Sequence, residues 1–361
     1  MTNYILISKL GAAEIRAMQQ MSAENKRYVT PLIEITKGRK LSSLRKPTPE
    51  EEYPFDKYLE QVKSIWEGHD IIMDLTSWDY LSNVTIDKLY DFTNGYEKWC
   101  TFIEQVNKES NFNSIIPCVI TNADDPDLEE NLCKQVDILS QRYNMIAYRS
   151  DIADDYCYDD IKIIKDHLNG KPLLFIIDAG YVPPISIGSF INKVQIRIDN
   201  IRSIMSDVQI AVSATSFPNN ISEIGGEDYD KFLLSEVMIS DELKGKDIIY
   251  SDYGCVNPQR NDGIVMARGW IPRIDVPLSN CVFYHRKRRP KGTSKYSGTY
   301  KEVAAITFAD KDFPMSLRDN WGIQQIEECA KGAAPSSQPN FWISVRMSIH
   351  VETQIRRINN L

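Results

Sequence analysis

The stretch PLLFIIDAG, residues 172–180, places five consecutive apolar residues in front of Asp178 and closes on Gly180. Short apolar runs of this kind are typical of buried β-strands. Seven similar runs, many rich in Val and Ile, occur in the first 255 residues: Tyr4–Leu10, Val29–Ile35, Asp70–Leu75, Ser114–Ile120, Met145–Ile152, Val208–Thr215 and Ile248–Gly254. The stretches between them carry apolar residues at spacings of three and four and predict helices near 11–25, 57–67, 84–108, 127–142, 157–168, 186–204 and 226–242.

Eight strands alternating with helices over about 250 residues match a TIM-like (β/α)8 barrel. A doubly wound open sheet is the alternative, because periodicity does not show whether the sheet closes. No G-x-G-x-x-G or G-x-x-x-x-G-K-[ST] motif follows a strand, and this counts against the usual nucleotide-binding forms of that alternative. We therefore predict an α/β fold with the barrel in residues 1–255. The polar segment Lys37–Pro54 after the second strand is a candidate lid.

Composition limits the class of protein. The chain has 361 residues, 42% of them hydrophobic, which is enough to bury one large core or two ordinary ones. No apolar run approaches the roughly 18–20 residues that span a bilayer, and the first residues lack the pattern of a signal peptide, so we expect a soluble, cytoplasmic protein. Seven scattered cysteines without a C-x-x-C pair predict reduced thiols and signal no zinc site.

The charge is unevenly distributed. The formal net charge of −8 counts against a protein that coats nucleic acid with its whole surface. Residues 256–361, however, carry 16 Lys and Arg against 9 Asp and Glu, a net charge of +7, whereas residues 1–255 carry a net charge of −15. The chain therefore divides into an acidic barrel and a basic C-terminal α+β extension, which we expect to pack on the barrel.

Within that extension, five basic residues lie close to aromatic ones. The basic residues are Arg286, Lys287, Arg288, Arg289 and Lys291, and the aromatic ones are Phe283, Tyr284, Tyr296 and Tyr300. This combination suits phosphate contacts with base stacking, and the alternative is an exposed loop that balances the acidic barrel. The later segment Phe341–His350 alternates apolar and polar residues and predicts a strand, from which His350 would reach the barrel mouth if the segment folds back.

Charged residues recur at the carboxyl ends of the predicted strands, where barrel enzymes carry their active sites. Counting alternate inward positions brings seven charged side chains to this mouth. Six of them are candidate site residues, namely Lys9, Glu34, Asp74, Arg149, Asp178 and Asp252, and the seventh is Asp151. No histidine falls in this ring, so a bound metal would be Mg²⁺ or Mn²⁺ on oxygen ligands, namely Glu34, Asp74, Asp178 and Asp252. Lys9 and Arg149 would then contact an anionic group of the substrate. The alternative is a layer of salt bridges or helix caps that closes the barrel.

Several short motifs, in order along the chain, resemble those of the family called beta family protein, found in phages, prophages and bacteria. They are Tyr4–Lys9 with Glu14, Thr30–Ile35, Ile72–Leu75, Ala214–Pro218, Ser251–Gly254 and a divergent Trp342–His350. The family opening carries a proline where Ile5-Leu6 stands, Ser251 replaces a glycine, and a single His350 stands where the family would have a pair. The resemblance implies a part in phage–host conflict, such as antiphage defence, and no assigned reaction.

Two hypotheses for function follow. In the first, the protein binds through the barrel mouth and the basic residues at 286–291. What it binds is a ligand, a nucleic acid or nucleotide, or a protein partner from a neighbouring defence or phage gene. In the second, it is a Mg²⁺- or Mn²⁺-dependent phosphodiester or nucleotide hydrolase that uses the acidic mouth. The lack of a recognised catalytic signature favours the first, and the sequence does not decide whether the protein is an enzyme.

Overall fold

The structure is a computed structural model that describes residues 2–38, 40, 48, 54–224, 226–259, 269–292 and 295–361. Its eleven strands are β1 (Tyr4–Lys9), β2 (Thr30–Ile35), β3 (Asp70–Leu75), β4 (Ser114–Val119), β5 (Ile146–Asp151), β6 (Leu173–Tyr181), β7 (Gln209–Thr215), β8 (Tyr229–Leu233), β9 (Ile248–Asp252), β10 (Arg273–Pro277) and β11 (Cys281–Arg286). Its twelve α-helices are α1 (Ala12–Gln19), α2 (Ala23–Lys26), α3 (Asp56–Ile65), α4 (Val84–Leu89), α5 (Thr93–Glu109), α6 (Leu128–Arg142), α7 (Cys157–His167), α8 (Ile187–Ile204), α9 (Ser235–Glu242), α10 (Tyr296–Phe308), α11 (Trp321–Ala330) and α12 (Pro339–Asn359). These counts refer to the described residues.

All eight predicted barrel strands are present, and they close into a parallel barrel in the order β1-β2-β3-β4-β5-β6-β7-β9. Closure is seen at β1, which pairs with β2 on one side and with β9 on the other. The (β/α)8 prediction is confirmed, and the open-sheet alternative is wrong.

Two apolar layers hold the barrel. Alternate side chains fill its interior, including Ile5, Ile7 and Leu32, and the remaining ones pack outward against the helices. Because the strands are covered on both faces, they read as continuous apolar runs in the sequence.

Helix α12 occupies the position of the eighth helix of the barrel. It packs against α1 and β1, and its Arg357 lies over the ring of Tyr250 on β9 and 3.5 Å from Asp241 of α9. The strand predicted over Phe341–His350 is therefore wrong. Two faces of α12 are buried, one against the barrel through Met347 and Val351 and one against the extension through Val345 and Ile349. Together these apolar residues occur at every second position of the sequence, which is the pattern of a strand.

The rest of the extension lies between β9 and α12 in the chain, and its sheet also includes β8, which precedes β9. Strands β10, β11 and β8 form a three-stranded antiparallel sheet, while α10, α11 and one face of α12 share a second apolar core. The helix predicted near 226–242 is correct only for α9, because the mostly exposed residues 229–233 form edge strand β8. The division into domains 1–255 and 256–361 stays a prediction.

Two further expectations concern the surface. Among the described residues, no helix combines the length and the apolar character needed to cross a bilayer. Most of the candidate lid Lys37–Pro54 lies outside the described residues.

Candidate functional site

The barrel mouth is organised around Arg149, which enters it from β5. Its guanidinium donates to three carboxylates from three other strands: Nη1 to Glu34 at 3.0 Å and to Asp74 at 2.8 Å, and Nη2 to Asp178 at 2.7 Å. The Arg149 side chain keeps 13% of its surface exposed. One arginine therefore joins the ends of β2, β3, β5 and β6.

Lys9 and Tyr253 complete this group. The ammonium of Lys9 lies 3.3 Å from Glu34 and 5.4 Å from the centre of the Tyr253 ring. The Tyr253 hydroxyl donates to Asp178 at 2.5 Å and accepts from Arg149 at 3.0 Å. We call this set the mouth cluster: Lys9, Glu34, Asp74, Arg149, Asp178 and Tyr253.

The carboxyl groups of the mouth cluster differ in their affinity for protons. Burial opposes ionisation of Glu34, but the charges of Lys9 and Arg149 prevail and lower its pKa to about 2. Burial likewise opposes ionisation of Asp178, and Arg149 and the Tyr253 hydroxyl lower its pKa. The pKa of Asp74 is instead raised, because burial and the charge of Glu34 outweigh Arg149. Neighbouring strands thus present an ionised carboxylate and a more basic one.

The structure brings together five of the six candidate site residues predicted for the mouth and separates the sixth. Asp252 faces outward from the barrel, where it accepts from Tyr4 at 2.8 Å, from Tyr250 at 2.7 Å and from His350 of α12 at 2.7 Å. Its expected place in the mouth, and with it the four-carboxylate metal site, is therefore wrong. Side chains alternate along a strand, and the inward position at the mouth belongs to Tyr253, the residue that directly follows β9.

Tyr253 is absent from the predicted site for that reason, since the prediction for this strand is one residue out of phase. The predicted site also lacks a second polar group on the outer side of that strand. There His350 approaches Cys255 with Nδ1 and Asp252 with Nε2, and Glu236 of α9 lies beside them. Residues 236, 255 and 350 are too far apart in the sequence to form a recognisable spacing.

The basic residues of the extension form a separate group on β11 and the loop after it. Lys287 pairs with Glu302 at 2.6 Å, and Arg288 and Lys291 are exposed. Arg289 lies 4.5 Å from the centre of the Tyr296 ring, which itself stacks on Trp270 at 4.0 Å. We call this set, with Arg286 at the end of β11, the basic segment.

Most of the aromatic neighbours predicted for this segment are core residues. Phe283, Tyr284 and Tyr300 are buried, so the expectation that they interleave with the basic side chains at the surface is wrong. Tyr296 is half-buried and remains beside Arg289. The half-buried Trp270, which is not among the predicted aromatic residues, is the second ring beside this segment and stacks on Tyr296.

Comparison with known proteins gives a match over nearly the whole chain. A family described as Beta protein matches residues 4–356. "Protein beta" of Enterobacteria phage P4 is 26% identical over 350 residues, which cover 95% of this chain and 90% of that relative. The match therefore includes the barrel, the extension and α12.

Proposed function

The chain belongs to the Beta protein family, and from that premise we propose that it is a phage-conflict protein that binds nucleic acid through its basic segment. The similarity to a phage protein supports a role in phage–host conflict. In this proposal the protein acts in the cytoplasm, and the barrel mouth recognises a further ligand or a protein partner from a neighbouring defence or phage gene.

The observation that carries the nucleic-acid proposal is the stack of Trp270, Tyr296 and Arg289 beside exposed Arg288 and Lys291. Flat aromatic and guanidinium groups stack on bases, and exposed basic side chains contact phosphates. The extension carries a net charge of +7, so its field favours an anionic partner although the whole chain is acidic.

The mouth cluster favours recognition over metal-dependent catalysis. A metal would have to share Glu34, Asp74 and Asp178 with Arg149, whose guanidinium already donates to all three carboxylates. Arg149 and Lys9 thus already place two positive charges against the three buried carboxylates, and this reduces the need for a metal ion.

The test compares two double variants in nucleic-acid binding at several salt concentrations. Arg288→Ala/Lys291→Ala is expected to weaken binding of single-stranded DNA or RNA. It should also reduce the slope of log affinity against log salt by about one for each phosphate that the variant no longer neutralises. Lys162→Ala/Lys331→Ala removes two exposed charges elsewhere and should leave both quantities unchanged. Equal affinity of the first variant and the wild type would refute the proposal.

A second candidate function rests on the difference between Glu34 and Asp74. A carboxyl with a raised pKa beside an ionised one is the arrangement used for general acid–base work. This supports the alternative of a Mg²⁺- or Mn²⁺-dependent phosphodiester or nucleotide hydrolase, with any ion held by the oxygens of Glu34, Asp74 and Asp178.

This candidate is tested with nucleotide and nucleic-acid substrates in the presence of Mg²⁺ or Mn²⁺. Asp74→Asn should abolish turnover while the melting temperature stays within a few degrees. Asp151→Asn is the matched control, because Asp151 ends β5 as an exposed residue. This function would be excluded if the wild-type protein turned over none of the substrates with either ion.

A further inference from the structure

Three side chains that can each offer a ligand atom to a metal ion meet on the outer side of β9. Glu236 comes from α9, Cys255 from the turn after β9, and His350 from α12, and their ligand atoms lie within 4.8 Å of one another. The exposed fraction is 2% for Glu236 and 0% for the other two. The group is thus sealed between the barrel and two helices.

The imidazole is oriented as in a metal site. Asp252 lies 2.7 Å from Nε2 of His350, and Cys255 Sγ lies 3.0 Å from Nδ1. A proton on Nε2 would hydrogen-bond to the carboxylate and would leave the lone pair of Nδ1 directed at the cysteine. Histidines that bind metals commonly donate a hydrogen bond from the N–H of their second ring nitrogen to a carboxylate in this way.

Glu236 supplies an independent observation that a ligand belongs here. Its Oε1 lies 3.5 Å from the Ser216 hydroxyl, but its Oε2 is buried and has no hydrogen-bond partner among the residues that the structure describes. An unsatisfied buried carboxylate oxygen is costly and rare, and a cation would satisfy it.

We propose that Glu236, Cys255 and His350 bind one Zn²⁺ ion. Thiolate, imidazole and carboxylate are the three side-chain ligand types that zinc takes in proteins, and a water molecule would take the fourth tetrahedral position. Zinc bonds of about 2.0–2.3 Å place the ligand atoms of a tetrahedral site about 3.5 Å apart. The distance between Cys255 Sγ and His350 Nδ1, which is 3.0 Å, would therefore increase by about half an ångström.

The surrounding charges suit the ion. Zn²⁺ with the Cys255 thiolate and the Glu236 and Asp252 carboxylates leaves one net negative charge. Arg346, one helical turn before His350, lies close enough to favour the thiolate and is itself held by Asp275 at 3.1 Å. The ion would replace the proton on the cysteine.

Cys255, His350 and Asp252 are linked by hydrogen bonds in the order nucleophile, base and orienting carboxylate of a catalytic triad. A catalytic use of Cys255 is nevertheless disfavoured. The thiol is fully buried, and burial raises its pKa well above the usual range. A reactive cysteine needs access and a lowered pKa. The zinc ion would act structurally and would fasten α12, the eighth helix of the barrel, to β9 and α9.

The full-length protein, purified after growth with zinc, tests the proposal by metal analysis. We expect about one zinc per chain in the wild type and in Cys281→Ser, which changes a half-buried cysteine of β11. Cys255→Ser and His350→Gln should each lose most of the metal. A chelator should lower the melting temperature of the wild type and should have little effect on His350→Gln.

Cobalt substitution keeps the proposal testable if these variants fold poorly. Co²⁺ added to the metal-free wild type should produce thiolate-to-cobalt charge-transfer absorption, and Glu236→Gln should weaken binding without removing that absorption. A wild-type protein that holds no zinc above the Cys255→Ser level, or that gives no thiolate–cobalt absorption, would overturn the proposal.

Discussion

At the scale of single residues, Arg149 determines what the barrel mouth can do. Its guanidinium pairs with three carboxylates that would otherwise repel one another in a site with little exposure to water. Together with Lys9 it offsets two of their three possible negative charges. Removing one partner of a buried ion-pair network destabilises the fold strongly, because the remaining charges are left buried and uncompensated. Replacing the whole network with apolar residues costs less stability.

We therefore expect Arg149→Met to lower the free energy of unfolding by about 3–5 kcal/mol in chemical denaturation. Arg142→Ala is the control, because Arg142 forms a half-exposed pair with Glu104 and should lose at most about 1 kcal/mol. Equal losses in the two variants would contradict the importance given to Arg149.

Glu34 makes stability depend on pH. Its pKa of about 2 in the folded protein lies below the ordinary value of 4.5, so its ionised form is stabilised by folding. This contribution, of the order of 3 kcal/mol, is complete above pH 4.5 and is lost as the pH falls toward 2. In Glu34→Gln, the free energy of unfolding should depend less steeply on pH between about 5 and 3, and a slope equal to that of the wild type would contradict the assignment.

At the scale of elements, the end of β9 and helix α12 are packed closely. Gly254 has a φ of 62°, and a Cβ there would lie 2.9 Å from Met347 of α12. Gly180 after β6 has a similar φ of 57° and open space around it. The two glycines thus share their backbone conformation and differ in the approach of a helix.

Gly254→Ala should destabilise the protein by more than Gly180→Ala, in which backbone strain of about 1 kcal/mol acts alone. Thermal or chemical unfolding of the two variants measures this difference. If the losses are the same, contact with α12 does not constrain the end of β9.

At the scale of the whole molecule, the barrel depends on the end of the chain. Met347, Val351 and Ile355 of α12 belong to the same apolar core as the barrel helices, and His350 hydrogen-bonds to the buried Asp252. A fragment of residues 1–255 would expose this apolar surface and leave Asp252 without one of its partners.

We expect fragment 1–255 to lack cooperative unfolding and to be cleaved rapidly by proteases, whereas the full chain unfolds cooperatively and resists cleavage. Near-ultraviolet circular dichroism and limited proteolysis provide the measurement. A fragment that unfolds cooperatively would instead support residue 255 as a true domain boundary.

By itself, the sequence determined the eight barrel strands and most of the helices, because strands buried on both faces must be continuous apolar runs. It also identified five residues of the mouth, since parallel strands bring their carboxyl ends to one edge of the barrel. These properties depend on local periodicity and can be read from short segments.

Only the tertiary structure decided the rest. Closure of the sheet, the use of α12 as the eighth helix and the meeting of Glu236, Cys255 and His350 depend on contacts between distant segments. Asp252 shows the limit most clearly. A shift of one residue in strand phase moves a side chain from the interior of the barrel to its outer face, and local patterns do not resolve that shift when polar residues occupy both faces.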